Sequence, residues 1–223
     1  LIGGDTTSSN SGLVLNITVL GIENDAKIVK RSGAKVNDLL VITGDLGGAY
    51  MGLQILEREH AVYLANPNMQ PEMAGYDYIL ERQLKPEART DVKQILEELD
   101  VLPTSMIDVS DGLASEILHL SDQSKVGFRL YEEKIPMDSL MISTADEFNL
   151  NPVMAALSGG EDYELLFTIS PNDYDKIKNH PDFTIIGHVV EKEEGNFMVA
   201  RGSNQLVALT AQGWDAFLAN QKQ

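Results

Sequence analysis

The sequence contains no cysteine. Disulfides, thiolate metal sites and a thiol nucleophile are thereby excluded, and the composition suits a cytoplasmic protein. Histidine is scarce as well. His60, His119, His180 and His188 are scattered, and none pairs with another at a zinc-binding spacing. No G-x-S-x-G elbow occurs, so serine hydrolysis has no support. No apolar run approaches membrane-spanning length, no signal peptide is visible, and neither repeats nor low-complexity segments are found. Positive charge is in short supply: 17 Lys and Arg stand against 34 Asp and Glu, a net charge of -17. Such a surface repels nucleic-acid phosphates, so neither nucleic acid nor a membrane is an expected partner. A nucleotide can still bind, provided divalent cations or a local basic residue offset the repulsion. With 223 residues, 43% hydrophobic and 23% charged, the chain is globular and long enough to bury a real core. It opens on Leu1-Ile2-Gly3-Gly4-Asp5, without an initiator methionine, and reads as though it starts inside a structured element.

What is present gathers around Met106-Ile107-Asp108-Val109-Ser110-Asp111-Gly112-Leu113. Ile107 and Val109 alternate with Asp108 and Ser110, the pattern of a short strand with one apolar and one polar face. Asp111-Gly112 breaks it, and residues 113–120 continue at helical spacing. Two carboxylates and a hydroxyl thus converge beside a helix N-terminus, where a metal-bridged phosphate would be accommodated. The plainer alternative is that Ser110 or Asp111 caps the helix and Asp-Gly makes the turn.

Two other stretches carry polar and glycine residues together. Gly3-Gly4-Asp5-Thr6-Thr7 lets backbone approach a ligand and offers a carboxylate and hydroxyls to a hard cation, or is simply a flexible loop. Ser158-Gly159-Gly160-Glu161-Asp162-Tyr163-Glu164 makes a tight turn that presents polar groups before a strand. Arg31, in a basic island from Ile28 to Lys35, is a candidate phosphate ligand because cations are so few. Gly44-Asp45-Leu46-Gly47-Gly48 joins a strand to a helix in a phosphate-binding layout, but its spacing fits neither common nucleotide fingerprint, and a tight turn is the better reading.

Strands are expected at 13–20, 39–43, 105–109, 127–131, 165–169 and 183–189, with a closing hairpin from 197–200 and 206–209. Helices are expected at 49–58, 73–83, 90–99, 113–120, 139–148, from 153, at 171–179 and from 213. Residues from 105 onward therefore alternate strand and helix, an α/β (α+β) layer in which helices cover one face of a mixed sheet. Several carboxylates around one polyphosphate repel it: a like-charged pair at 4 Å costs about 4 kcal/mol at an effective dielectric of 20. The acidic, glycine-rich motifs therefore point to metal-assisted phosphoryl chemistry.

In this order Gly3 to Thr7, Arg31 to Lys35, Ile107 to Leu113, Leu157-Ser158-Gly159-Gly160-Glu161-Asp162-Tyr163-Glu164-Leu165 and Gly213-Trp214-Asp215 resemble the motifs of the thiamine-monophosphate kinases, within the aminoimidazole ribonucleotide synthetase-like superfamily. The resemblance covers essentially the whole chain, as the family's C-terminal two-thirds. It implies the C-terminal α/β domain of that fold over residues 30–223, preceded at 1–29 by a remnant of the β-rich N-terminal ATP-binding and dimerisation domain. It also implies direct transfer of the γ-phosphoryl group of ATP to thiamine phosphate, giving thiamine diphosphate without a covalent enzyme intermediate.

Carried over by motif, Gly4, Asp5, Arg31 and Ser110 contact ATP, and Asp5, Asp108 and Asp111 hold Mg²⁺, the latter two as catalytic groups. Glu161 and Trp214 contact the thiamine moiety, Trp214 offering an aromatic face to a cationic ring. The complete protein is expected to be a homodimer. Ser8 stands where the family has a basic residue, and Ala216 where it has histidine. The family's N-terminal part, with further metal-binding aspartates and a substrate histidine, lies outside this sequence. The 223 residues alone are accordingly expected to be inactive, and residues 1–20 to be mobile or paired to another chain. Alternatives are a superfamily enzyme with another phosphoryl acceptor, or a non-catalytic Mg²⁺-nucleotide-binding module.

Overall fold

The computed structural model describes residues 2–4 and 12–211. Its centre is the run Leu39–Thr43 (β1), where Leu40 and Ile42 face one way and Val41 the other, and all three are fully buried. A strand buried on both sides must carry apolar residues at every position, which is why this segment does not alternate.

The chain continues through α1 (Gly48–Ala65), α2 (Asp77–Leu84), α3 (Asp91–Glu98), β2 (Ser105–Asp108), α4 (Leu113–Ser124), β3 (Gly127–Tyr131), α5 (Ser139–Glu147) and α6 (Pro152–Ser158). It closes with β4 (Leu165–Ile169), α7 (Tyr174–Ile177), β5 (Phe183–Val190), β6 (Asn196–Val199) and β7 (Leu206–Ala208). The strands form one sheet in the order β2-β4-β1-β5-β3-β6-β7. Only β3 and β6 run parallel among these neighbours, so the sheet is mixed, as the sequence indicates.

On one face Leu40, Ile42, Ile107, Leu166, Phe128 and Leu130 pack with Leu113, Ile117 and Leu120 of α4 and Leu157 of α6. The opposite face is covered too, by a smaller layer in which Val92 and Leu96 of α3 and Ile177 of α7 meet Val41, Phe167 and Phe183. Helices therefore lie on both faces rather than one. A third cluster joins α1, α2 and α5 through Met51, Ile55, Ile79 and Met141.

Several elements differ in extent from the sequence reading. α1 runs on to Ala65, and residues 171–179 divide into a single 3₁₀ turn, Pro171–Asp173, and the short α7. The strand expected at 13–20 does not form. Those residues have no regular structure and no sheet pairing, and Ile17 is 88% exposed. Their β-branched composition suits a strand, but a strand exists only by hydrogen bonding to a neighbour, and none among the described residues lies beside them. Among the described residues, no helix is long and apolar enough to cross a membrane.

Candidate functional site

The turn after β2 and the loop before β4 were read in the sequence as separate motifs, and the fold brings them together. β2 and β4 are antiparallel neighbours with Asp108 opposite Leu165. Pairing continues beyond the strands: Val109 N–H donates to Glu164 O at 2.7 Å, Tyr163 N–H to Val109 O at 2.8 Å and Glu161 N–H to Ser110 O at 2.8 Å. Two glycines permit this approach. A Cβ on Gly112 (φ 100°) would stand 2.6 Å from Leu157 O, and one on Gly160 (φ 69°) 2.6 Å from Ser110 O.

Gly112 occupies the N-cap position of α4, and no side chain caps that helix. Neither Ser110 nor Asp111 therefore serves as the cap that the plainer sequence reading assigned to it. Instead Glu116, only 2% exposed, reaches back from α4. Its Oε1 accepts the Asp111 N–H at 3.2 Å and lies 3.5 Å from Ser110 Oγ. Burial raises the Glu116 carboxyl above its ordinary range, and the negative charges of Asp111 and Asp108 add to that rise. Asp108, Asp111 and Glu161 are exposed, and among the described residues no cation forms an ion pair with any of them. The hydrogen bond that Tyr163 Oη donates to Glu161 Oε2 at 2.9 Å raises the tyrosine above its usual value, with Asp108 and Asp111 contributing in the same direction.

These donors are all hard oxygens, the chemistry that Mg²⁺ or Ca²⁺ prefers. Among the described residues, however, no three His, Asp or Glu side chains are gathered closely enough to hold an ion on their own. Mg²⁺ ordinarily takes one or two carboxylates and completes its shell with water and substrate phosphate. The turn fits that mode of binding and does not fit a closed, all-protein cage. A cleft of about 340 Å³ opens beside it, with Asp108, Tyr163 and Leu165 on one side and residues 86–89 on the other.

The inward side of the same loop is built differently. Glu161 and Tyr163 point outward, whereas Asp162 and Glu164 are each 3% exposed. The Asp162 carboxylate accepts Gly47 N–H at 2.8 Å and Ala49 N–H at 3.4 Å, so it caps α1 from a distant part of the chain. Burial pushes its carboxyl up to about 6, against the opposing pull of those N–H groups and Arg82. The N-terminus of α1 is thus already occupied by a carboxylate, and Gly44 to Gly48 is a turn rather than a phosphate cradle. Arg82 Nη1 donates to Glu164 Oε1 at 2.9 Å and Arg89 Nη1 to Oε2 at 2.6 Å. Thr43 Oγ1 also donates to Oε2. Tyr78 Oη donates to Asp45 Oδ2 at 2.6 Å, and burial raises the Asp45 carboxyl.

The other sequence candidates stand apart. The Arg31 carbonyl accepts from Ser124 Oγ at 3.4 Å, at the C-terminal end of α4, whereas Asp111 precedes its N-terminal end. The twelve residues of α4 span about 18 Å at 1.5 Å per residue. Gly4 is exposed, with nothing within 4 Å of where its Cβ would be. Asp5 and Trp214 lie outside the described residues. The sequence reading missed Glu116, Arg82, Arg89 and Glu164. No local signal singles them out, because β4 carries apolar residues on both faces and so does not tell which side of residues 161–164 turns inward.

Together these features define a layered α/β domain with an acidic strand-end site suited to a metal-bridged phosphate. Residues 35–200 match the family of the AIR synthase related protein, C-terminal domain, and the chain belongs to that family. Within it the similarity runs to thiamine-monophosphate kinases. That of Bacillus subtilis (strain 168) is 32% identical over 97% of this chain and 64% of the relative, and that of Escherichia coli (strain K12) is 34% identical over 97% and 63%. The structure of AaThiL complexed with AMPPCP and TMP superposes with a TM-score of 0.68 at 28% identity, covering 85% of this chain and 54% of that one. The chain spans about three-fifths of the length of these curated relatives.

Proposed function

We propose that this chain is the C-terminal part of an enzyme that transfers the γ-phosphoryl group of ATP to thiamine phosphate, giving thiamine diphosphate. The observation that carries the proposal is the docking of the 158–164 loop onto the Asp108–Asp111 turn, which sets on one surface three exposed carboxylates that have no cationic partner among the described residues. The similarity to thiamine-monophosphate kinases, and to a structure complexed with AMPPCP and TMP, supplies the acceptor.

Asp108 and Asp111 would hold Mg²⁺, with Asp5 as a further ligand. Mg²⁺ when bound neutralises charge between the two phosphates, without which the acidic surface would repel both substrates. Ser110 offers its hydroxyl to the nucleotide phosphates, held near Glu116 Oε1 at 3.5 Å. Gly4 and Arg31 would contact other parts of ATP. Glu161, fixed by the Tyr163 hydroxyl, would face the cationic thiamine moiety, with Trp214 offering its ring. No side chain here is required as a covalent nucleophile, so the residues act by position and charge. The boundary near residue 30, a dimer formed by the complete protein and a cytoplasmic location are part of the same proposal.

Thiamine diphosphate formation from ATP and thiamine phosphate by the complete enzyme tests it directly, with Asp108→Asn and Asp111→Asn beside the wild type at limiting Mg²⁺. Each variant should retain the fold and lose roughly 100-fold or more in turnover, since positioned charge stabilisation accounts for such factors. Near-normal activity in either would make that carboxylate a turn residue. Phosphorylation of a different acceptor in preference to thiamine phosphate would reassign the substrate within the superfamily.

A further inference from the structure

The carboxylates of the acidic site stand on a turn whose position is set from behind. Asp162 and Glu164 point away from the site, and Arg82 reaches both. Its Nη1 donates to Glu164 Oε1 at 2.9 Å, while Nη2 donates to Asp162 O and to Asp45 O, each at 3.1 Å. Arg89 holds the other Glu164 oxygen and is itself locked by Asp91, through Nε at 3.1 Å and Nη2 at 3.0 Å. The Glu164 carbonyl in turn accepts the N–H of Val109, the residue between Asp108 and Ser110.

We propose that Arg82 and Arg89 are positioning residues for the divalent-cation site, acting through Glu164 and Asp162 to fix where Asp108 and Asp111 present their carboxylates. The inference rests on the assignment of those two aspartates as metal ligands, and extends it to two arginines that touch neither.

The backbone explains why the arginines do more than hold the fold together. Glu161 and Tyr163 have left-handed conformations, φ 63° and 52°, which non-glycine residues adopt only where surrounding contacts impose them. Those two residues supply the N–H groups that grip Ser110 O and Val109 O. With Glu164 and Asp162 clamped on either side, the strained conformations are over-determined. Release of the clamp lets the loop relax to ordinary φ values, and the two N–H groups move away from the turn. Lysine cannot substitute, because one ammonium does not reproduce a planar fork that reaches three acceptors on two segments.

Two measurements on the wild type, Arg82→Lys and Arg89→Gln test the proposal, the second variant standing in should the first fail to fold. Hydrogen exchange should quicken about tenfold or more in peptides covering 108–112 and 160–164, with β1 and β5 unchanged, as for a local opening. Exchange unaltered at 108–112, or quickened equally throughout the chain, would overturn the proposal. In the assay of thiamine diphosphate formation by the complete enzyme, half-saturating Mg²⁺ should rise roughly 10- to 100-fold, as when a group that orients a metal ligand is lost. An unchanged Mg²⁺ requirement in an active variant would also overturn it. Should the complete wild-type enzyme fail to phosphorylate thiamine phosphate, the kinase assignment falls while the exchange measurement still decides the role of the arginines.

Discussion

Asp162 is a carboxylate almost wholly removed from water, holding two backbone N–H groups and lying 3.7 Å from Arg82 Nη2. Its folded-state value of about 6 lies above the ordinary 3.8 because desolvation outweighs those partners. The folded chain therefore binds this proton more readily than the unfolded chain does. The stability associated with Asp162 is fully present below the unfolded value and declines as pH rises through about 6. Asp91, lowered chiefly by its hydrogen bond to Arg89, and Asp122, lowered by Lys125, act in the opposite sense and lose their contribution as pH falls. Subtraction isolates the one group. Between pH 4 and pH 7 the wild type should lose roughly 1–3 kcal/mol relative to Asp162→Asn, whose side-chain oxygen still accepts from Gly47. Denaturant titrations of both proteins across that range measure it, and a difference that stays flat or slopes the other way refutes the assignment.

Between elements, the decisive contact is the one between two turns that lie about fifty residues apart in sequence. Gly160 shows how closely it is built, since it combines a left-handed φ of 69° with the Ser110 carbonyl in the place of a Cβ. Gly202 shares the left-handed conformation, φ 80°, but faces open space. Alanine at 202 should thus cost only the backbone term, about 1 kcal/mol, and leave phosphoryl transfer intact. Alanine at 160 adds a clash with main chain that no rotamer relieves, so the loss should reach about 2–4 kcal/mol and activity should fall with it. Equal effects at the two positions, read by chemical denaturation and by turnover of the complete enzyme, would mean that the turns do not bear on each other.

The same contact marks the limit of what the sequence discloses. β1, β2, α4 and the β6–β7 hairpin were legible, because periodicity and Gly-Asp punctuation are local signals. The identity of Asp108, Ser110, Asp111 and Glu161 as polar groups before or after a strand was legible for the same reason. Their proximity was not, since it follows from the pairing of β2 with β4, a long-range choice. Residues 13–20 are the converse case: a strong local preference for β structure with no neighbour among the described residues to satisfy it. Glu116 and the Arg82–Glu164–Arg89 cluster were invisible for a third reason. A buried charge looks like any surface charge until burial reveals that it must have a partner.

At the scale of the whole molecule, a net charge of -17 is a constant repulsion that any anionic ligand must overcome. Simple salt relieves it everywhere alike, because the screening length falls to about 10 Å at 0.1 M. A cation bound at the Asp108–Asp111 turn relieves it at one place, and only in the folded chain. The two effects separate in a thermal melt in the presence of AMPPCP, with MgCl₂ compared against NaCl at equal ionic strength. Both salts should raise the midpoint, and MgCl₂ should raise it further. At a ligand concentration ten times the dissociation constant, the additional stabilisation is about 1.4 kcal/mol. That excess should vanish in the Asp108→Asn/Asp111→Asn double variant while the NaCl response survives. The variant carries two fewer negative charges, so its response to NaCl should if anything be slightly smaller, which keeps the two contributions distinguishable. An excess for MgCl₂ that persists undiminished in the double variant would show that Mg²⁺ acts as a diffuse counterion over the acidic surface. The turn would then have no claim to be the metal site.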